Sequence, residues 1–270
     1  MPASNQDVTG TANTKDLHLL REAALEAGEL ALSFFGKDPE TWLKGGKSPV
    51  SEADLAVDGF LADTLKTARP DYGWLSEETL DDKERLNRER TFIIDPIDGT
   101  RAFLAGGDEW TVAVAVVEKG RPVAGVVYAP MRKELYTAQM GGGSFLNDAA
   151  ISVAGSKAVA GATLSGPPSV NDHEDLAGVG VKKTTYIRSL AYRLVLVANG
   201  QVDIGVARAG PSDWDLAAAD LLVQEAGGTL ADLTGQRLAY NKAKTRHPAL
   251  IAAPVDLLDP ARAAFGSLLG

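Results

Sequence analysis

The chain has no cysteine, and this absence excludes two kinds of site. Its 270 residues can form neither a disulfide nor a thiolate zinc centre. Histidine is scarce as well, and His18, His173 and His247 lie too far apart in the sequence for a metal-binding histidine motif. A chain without cysteine is typical of a reducing compartment, so we expect a cytoplasmic location.

Excess positive charge and long apolar runs are also missing. The net charge of -9 argues against binding a nucleic-acid polymer, which requires a basic face. No apolar run reaches the roughly 18 residues that span a bilayer, so we expect no integral membrane contact. Residues 1–14 are polar, without the basic and hydrophobic regions of a signal peptide, and we expect them to form a flexible tail.

Apolar periodicity predicts helices first, then strands, then an alternation of the two. Helices are predicted over 16–35, from the N-cap Ser51 towards Pro70, over 190–198 and over 213–226. Segments rich in branched residues predict strands at 72–75, 92–95, 111–117, 123–128, 134–139, 144–147 and 202–207. We therefore expect an N-terminal α+β lobe (15–150) and a C-terminal α/β lobe (151–270) that form one structural unit.

The most informative segment is Asp95-Pro96-Ile97-Asp98-Gly99-Thr100, which follows an apolar strand. Two carboxylates with a backbone carbonyl between them, and a glycine and a hydroxyl after them, can hold hard cations beside a phosphate group. The alternative is a turn, because aspartate at a strand end often only caps local amides. The segment is typical of a phosphatase.

Three further segments supply carboxylates that could reach the same place. Glu77 and Glu78 end a short predicted strand, and Asp215 lies in the first turn of a predicted helix, where the helix dipole favours a negative charge. Lys47 and Asp54 place a cation and a carboxylate around the start of the second helix. Each segment alone fits an ordinary surface or capping role.

Together, in this order and from about residue 15 to 265, these segments resemble the inositol monophosphatase superfamily of magnesium-dependent, lithium-sensitive phosphatases. Segment 95–100 resembles its central signature, Glu77-Glu78 its upstream acidic pair, and segments 214–219 and 225–228 its C-terminal signature. The resemblance implies an α+β fold, a layered α-β-α-β-α sandwich with metals at the junction of the two lobes. It also implies a small-molecule phosphate substrate, and a homodimer is expected because family members are often dimers.

The resemblance implies two or three Mg²⁺ ions. Glu77, Asp95 and the Ile97 carbonyl would hold one ion, and Asp95, Asp98 and Asp215 a second, while a third would rest on Glu77. The amides of Gly99 and Thr100 would bind the phosphate. Thr100 and Asp54 would orient and deprotonate the attacking water with help from Glu77, while Glu78 and Lys47 would lie beside the metal ligands.

The substrate is inferred from two positions. Ser76 and Arg208 stand where inositol monophosphatases usually carry glycine and a glutamate that contacts inositol. Arginine suits a second phosphate, so the chain most resembles the 3'(2'),5'-bisphosphate nucleotidases, which act on 3'-phosphoadenosine 5'-phosphate. In this interpretation Arg188, Arg193 and Arg208 hold the second phosphate and Tyr192 lines the purine pocket. The alternatives are inositol, histidinol or sugar phosphates and, more distantly, a non-catalytic nucleotide or metal sensor.

Overall fold

The computed structural model describes residues 5–45 and 48–270, and its elements follow the predicted order. The helices are α1 (Asn5–Phe34), α2 (Glu52–Ala68), α3 (Thr100–Leu104), α4 (Pro168–Asn171), α5 (Leu190–Ala198), α6 (Asp213–Glu225) and α7 (Val255–Leu269). The strands are β1 (Thr41–Lys44), β2 (Ser48–Ser51), β3 (Gly73–Ser76), β4 (Arg90–Asp98), β5 (Thr111–Glu118), β6 (Arg121–Ala129), β7 (Glu134–Gln139), β8 (Gly143–Leu146), β9 (Ala149–Ala150), β10 (Thr163–Ser165), β11 (Lys182–Lys183), β12 (Ile204–Ala207), β13 (Gly228–Asp232) and β14 (Leu250–Pro254).

The strands form two sheets and a separate hairpin. The larger sheet has the order β3-β4-β5-β6-β7-β8-β9 and is antiparallel except for the parallel pair β3 and β4. The smaller sheet has the order β11-β10-β12-β14-β13, and β1 pairs with β2 just before α2. The predicted hairpins and strands are thus confirmed, with boundaries that differ by a few residues.

Alternating side chains assign each sheet face to a helical layer. On β4, Phe92 and Ile94 face the cluster that contains α1 and α2, while Ile93 faces the cluster that contains α5 and α6. On β14, Ala252 belongs to that same inner cluster, and Ile251 faces α7 on the outside. The layers therefore run α-β-α-β-α, which confirms the predicted sandwich.

The inner cluster joins residues from both predicted lobes. Ile93 of the N-terminal lobe and Leu222 of the C-terminal lobe are buried in the same core. A shared core agrees with one structural unit, because neither half buries this surface without the other. None of the helices within residues 5–45 and 48–270 combines the length and hydropathy needed to cross a bilayer.

The predicted tail at 1–14 requires a correction. Helix α1 begins at Asn5 instead of residue 16, and the side chain of Asn13 is buried, where it accepts a hydrogen bond from Arg90 at 3.0 Å. The partner of Asn13 lies on β4, far along the chain, so the polarity of the segment hid this contact. Residues 1–4 lie outside the described part of the chain.

Candidate active site

Strand β4 delivers two aspartates to one end of the larger sheet. Its pairing with β5 shifts register between Asp95 and Asp98, around Pro96, which has no amide hydrogen for the ladder. Gly99 follows with a φ of 97°, and a side chain there would also approach the Cβ of Ser189 to 3.2 Å. Only glycine fits this position easily, and its left-handed turn starts α3 immediately after the two aspartates.

Neighbouring elements bring Glu77 and Asp215 to Asp95. Glu77 directly follows β3, which runs parallel to β4, so both strands deliver their carboxylates to the same edge. Asp215 comes from the first turn of α6. One carboxylate oxygen from each of the three residues lies within 4.8 Å of the other two. The structure thus brings together three of the predicted metal ligands.

These carboxylates repel one another in a region with little water. Asp95 is buried, and neither of its side-chain oxygens has a hydrogen-bond partner among the described residues. Burial, together with the charges of Glu77 and Asp98, raises the pKa of Asp95 well above its ordinary value. Burial and the charge of Asp215 raise the pKa of Glu77 to about 8, and burial and the charge of Asp98 raise the pKa of Asp215 to about 7.

A divalent cation would remove this electrostatic penalty. The unpaired oxygens of Asp95 are what a metal would satisfy, since buried polar groups otherwise have partners. The donors are all oxygen atoms, which suit Mg²⁺. The residues present therefore fit the predicted magnesium centre.

Three aspartates around this centre also hold the local backbone. Asp54 accepts hydrogen bonds through Oδ2 from the Ser51 amide at 2.8 Å, as the third residue of α2, and Asp215 accepts one from the Ser212 amide at 2.6 Å in the same position of α6. Asp98 Oδ2 accepts from Ser189 Oγ and from the Ala191 amide, both at 2.6 Å, at the start of α5. Capping was the alternative interpretation of Asp54 and Asp215. In the structure, Asp54 and Asp215 cap their helices and also lie at the candidate active site.

The predicted pair of Asp54 and Thr100 is in contact. Thr100 Oγ1 lies 3.1 Å from Asp54 Oδ1 and 3.2 Å from the Ile97 carbonyl oxygen, and it can donate its single proton to either acceptor. Burial raises the pKa of Asp54, although its hydrogen bonds with Ser51 oppose this shift. A raised pKa makes a carboxylate a stronger proton acceptor, which suits a general base.

A cavity of about 290 Å³ opens above these groups. Its acidic floor contains Glu77, Asp98 and Asp215, and Ile97, Gly99 and Thr100 also line it. The remaining lining residues are Pro49, Arg101, Tyr186 and Arg188. The cavity thus has an acidic floor and two arginines along its lining.

Residues 13–258 match the model of the inositol monophosphatase family. The chain belongs to that family. It is 36% identical over 233 residues to the inositol-1-monophosphatase of Mesorhizobium japonicum, and the alignment covers 81% of this chain and 86% of the relative. It is 31% identical over 248 residues to the 3'(2'),5'-bisphosphate nucleotidase CysQ of Aggregatibacter actinomycetemcomitans, which covers 83% and 88%.

The solved structure of the extragenic suppressor protein suhB from Bartonella henselae has the same fold. The two structures superpose with a TM-score of 0.81 at 29% identity, over 93% of this chain and 98% of the other. The predicted family resemblance is confirmed, and the chain is a phosphomonoester hydrolase of a family that is generally magnesium-dependent. Because its relatives are named for different substrates, the comparisons identify the reaction class and not the substrate.

Within this family member, the cation beside the acidic pair is Lys44. Its Nζ donates to the Glu77 carbonyl oxygen and lies 3.2 Å from a carboxylate oxygen of Glu78, whose side chain is only 5% exposed. The sequence predicted Lys47 for this place, and Lys47 lies outside the described residues. Lys44 was missed because only the pairing of β1 with β2 brings it back over the end of β3.

Arg188 is the one of the four predicted substrate residues that lines the cavity, where its guanidinium lies 3.1 Å from Glu109. Tyr192 is 2% exposed and donates its hydroxyl hydrogen to Glu134 at 2.9 Å. Arg208 donates to the Leu268 carbonyl oxygen at the end of α7. Tyr192 and Arg208 are not among the residues that line this cavity.

Arg193 is likewise not among the residues that line the cavity. It is buried and donates to the carbonyl oxygens of Val206 and Ile187 at 2.9 and 2.7 Å. Its guanidinium lies 5.5 Å from the ring centre of Tyr186, so it supports the cavity wall from behind. Tyr186 and Arg101 are lining residues that the sequence did not predict, since neither lies in a recognisable pattern.

Proposed function

We propose that this chain hydrolyses a small phosphomonoester that carries a second anionic group, with 3'-phosphoadenosine 5'-phosphate as the best candidate. The observation that carries the proposal is the lining of the cavity. Arg101 and Arg188 line it together with the acidic residues of its floor. Arginine binds phosphate oxygens through several donors, whereas the hydroxyls of a polyol gain less from a cation.

The reaction divides between the acidic floor and the wall of the cavity. In this proposal Glu77, Asp95 and the Ile97 carbonyl would hold one Mg²⁺, and Asp95, Asp98 and Asp215 would hold a second. A third ion would rest on Glu77. When bound, the ions supply a nucleophile at neutral pH and stabilise charge on the phosphate and leaving oxygens.

The neighbouring side chains handle the proton and the phosphate. Thr100 Oγ1 orients the attacking water and takes a proton from it. Thr100 gives its own hydroxyl proton to Asp54, with which it is in contact. The amides of Gly99 and Thr100, both of which line the cavity, donate hydrogen bonds to the phosphate oxygens. Glu78 and Lys44 hold the backbone of Glu77 from outside the cavity.

The second phosphate would bind at Arg188. The side chain of Arg188 is 45% exposed, and its guanidinium lies 3.1 Å from a carboxylate oxygen of Glu109. A dianionic phosphate can displace a carboxylate from such a partly exposed pair, because the pair itself contributes only about 0–1 kcal/mol. The aromatic ring of Tyr186 lies along the same cavity and could contact a nucleobase.

Inositol 1-phosphate is the second candidate substrate. The relative with 36% identity is an inositol-1-monophosphatase. In addition, Arg208, which replaces the glutamate expected to contact inositol, points towards α7 and away from the cavity. Its presence therefore gives no reason to exclude a polyol.

The test is release of phosphate with Mg²⁺ from four substrates: 3'-phosphoadenosine 5'-phosphate, adenosine 3'-phosphate, inositol 1-phosphate and histidinol phosphate. We compare the unchanged protein with Arg188→Gln, and Arg208→Gln is the matched control. Loss of a charged hydrogen bond costs about 1.5–3 kcal/mol, so Arg188→Gln should lower kcat/KM for the bisphosphate by roughly 10-fold to 100-fold. The same change should affect adenosine 3'-phosphate by less than about threefold.

The outcomes separate the candidates. Arg208→Gln should change kcat/KM for neither nucleotide. Equal losses on both nucleotides in Arg188→Gln would remove Arg188 from second-phosphate binding. A kcat/KM that favours inositol 1-phosphate in the unchanged protein would establish the second candidate instead.

A further inference from the structure

Asp58 is a buried carboxylate next to the active site to which the proposed reaction gives no role. It lies one turn after Asp54 on α2 and is 9% exposed. Its Oδ1 accepts a hydrogen bond from Ser76 Oγ, and its Oδ2 accepts one from Thr79 Oγ1 at 2.7 Å. Both oxygens of one helical side chain thus hold the segment 76–79, which carries Glu77.

The segment has other attachments as well, and Lys44 donates a hydrogen bond to the Glu77 carbonyl oxygen. Glu77 donates its amide hydrogen to the Ile94 carbonyl oxygen at 3.2 Å, the last contact along β4 before the chain leaves the sheet. Trp74 donates its indole hydrogen to Thr79 Oγ1 at 3.2 Å. The next residue, Leu80, is 93% exposed and provides little packing. Asp58 is the anchor that α2 provides for this turn, with both of its carboxylate oxygens engaged.

The anchor also explains the serine at position 76. Ser76 is 2% exposed, and its hydroxyl turns towards Asp58 instead of the cavity. The sequence interpretation used Ser76 as a marker of substrate type. Its geometry points to support of the neighbouring Glu77.

We propose that Asp58 is a positioning residue that holds Glu77 in place for Mg²⁺ before the ion binds. The inference rests on the proposed magnesium centre. Residues four apart on a helix share a face at about 5–6 Å, so α2 fixes Asp54, which contacts Thr100, and Asp58, which holds segment 76–79, on one rigid support. Glu77 would otherwise move away from Asp95 and Asp215, because like charges within 4.8 Å repel.

The first measurement is binding of Mg²⁺ alone by calorimetry, without substrate. Loss of a side chain that orients a metal ligand typically weakens metal binding about 10-fold to 100-fold, and we expect this for Asp58→Ala. Asp58→Asn keeps one acceptor oxygen and should lose less affinity. The matched control is Asp63→Ala, which removes an exposed carboxylate from the same helix and should leave the Mg²⁺ affinity unchanged.

The second measurement separates positioning from general damage to the fold. In Asp58→Ala the Mg²⁺ concentration at half-maximal activity should rise by the same factor as the dissociation constant, while kcat at saturating Mg²⁺ stays within about threefold. If Asp58→Ala does not fold, Asp58→Asn and Thr79→Val still test the proposal. Each weakens the hydrogen bonds of the anchor but leaves a side chain of similar size in place. Thr79→Val should also weaken Mg²⁺ binding.

Two results would overturn the inference. Equal Mg²⁺ affinities in Asp58→Ala, Asp58→Asn and the Asp63→Ala control would show that Asp58 does not position Glu77. A fall in kcat with unchanged Mg²⁺ affinity would show the same. Neither result touches the proposed substrate. If the unchanged protein itself failed to bind Mg²⁺, the proposed magnesium centre would fail together with the inference.

Discussion

Replacing Asp95 by asparagine should stabilise the metal-free protein while it abolishes turnover. Asp95 is buried, with both oxygens unpartnered, and one of them lies within 4.8 Å of oxygens of Glu77 and Asp215. Two unit charges at that distance repel by about 3.5 kcal/mol at an effective dielectric constant of about 20. Two fully ionised neighbours would therefore contribute about 7 kcal/mol.

Two effects reduce this value. Protons partly neutralise the cluster, because burial and mutual repulsion raise the pKa of Asp95 well above its ordinary value, that of Glu77 to about 8 and that of Asp215 to about 7. The new amide also leaves buried donors without partners, which costs about 1–3 kcal/mol. We expect a net gain of about 2–4 kcal/mol in the free energy of unfolding, or roughly 5–10 °C in Tm.

The gain should depend on pH with a defined sign. Groups with a folded-state pKa above the ordinary value favour folding at low pH, and this contribution is lost as the pH rises through the folded-state pKa. For Glu77 and Asp215 the window extends from their ordinary values of 4.5 and 3.8 up to about 8 and about 7. Asp95→Asn removes one repelling charge, so its advantage should be small near pH 6 and largest near about pH 9.

The assay is thermal and denaturant unfolding with a chelator and with saturating Mg²⁺. Mg²⁺ should stabilise the unchanged protein and leave Asp95→Asn almost unaffected. The control is Asp108→Asn, an exposed partner of Arg132, which should change stability by no more than about 0.5 kcal/mol. A metal-free Asp95→Asn less stable than the unchanged protein at about pH 9, or equal stabilisation of both by Mg²⁺, would refute the reasoning.

Two further predictions concern the same centre. The Mg²⁺ concentration at half-maximal activity should fall as the pH rises from about 6.5 to about 8.5, since protons and Mg²⁺ compete for Glu77 and Asp215. Titrations of phosphate release with Mg²⁺ at several pH values check this, and a concentration that does not change with pH would contradict it. Thr100→Val and Asp54→Asn should each lower kcat by about 10²–10⁴, and the double variant should be little worse than either; additive losses in steady-state assays would show that the two residues act independently.

The sequence predicted the parts of the site that lie in short continuous motifs. Asp95 and Asp98 lie three residues apart near the end of one buried strand, and Glu77 directly follows the neighbouring strand, so their meeting follows from local pattern and strand order. The layered fold could be predicted in the same way. The side chains of β4 alternate between its two faces, and the apolar residues of α2 recur at helical spacing, so each pattern defines the face that is buried. Local sequence carries this information.

The predicted residues that do not line the cavity, and the lysine that the sequence missed, are side chains whose direction depends on distant elements. Tyr192 and Arg193 lie on α5, which is buried around most of its circumference, so periodicity could not show which side faces the cavity. Arg208 turns towards the end of α7, whose packing against β14 is not visible near residue 208. Lys44 reaches Glu77 only through the hairpin of β1 and β2. Each contact is set by tertiary packing and not by the neighbouring sequence.

Asp98 connects the candidate active site to the start of α5. Its Oδ2 is bound by Ser189 and Ala191 at the start of α5, while the residue also lines the cavity beside Asp215. A ligand that draws on Asp98 therefore acts on the attachment of α5 as well. Two requirements therefore act on this position as the family diverges. A substitution of Asp98 that changed the chemistry would also leave the first turn of α5 without its anchor.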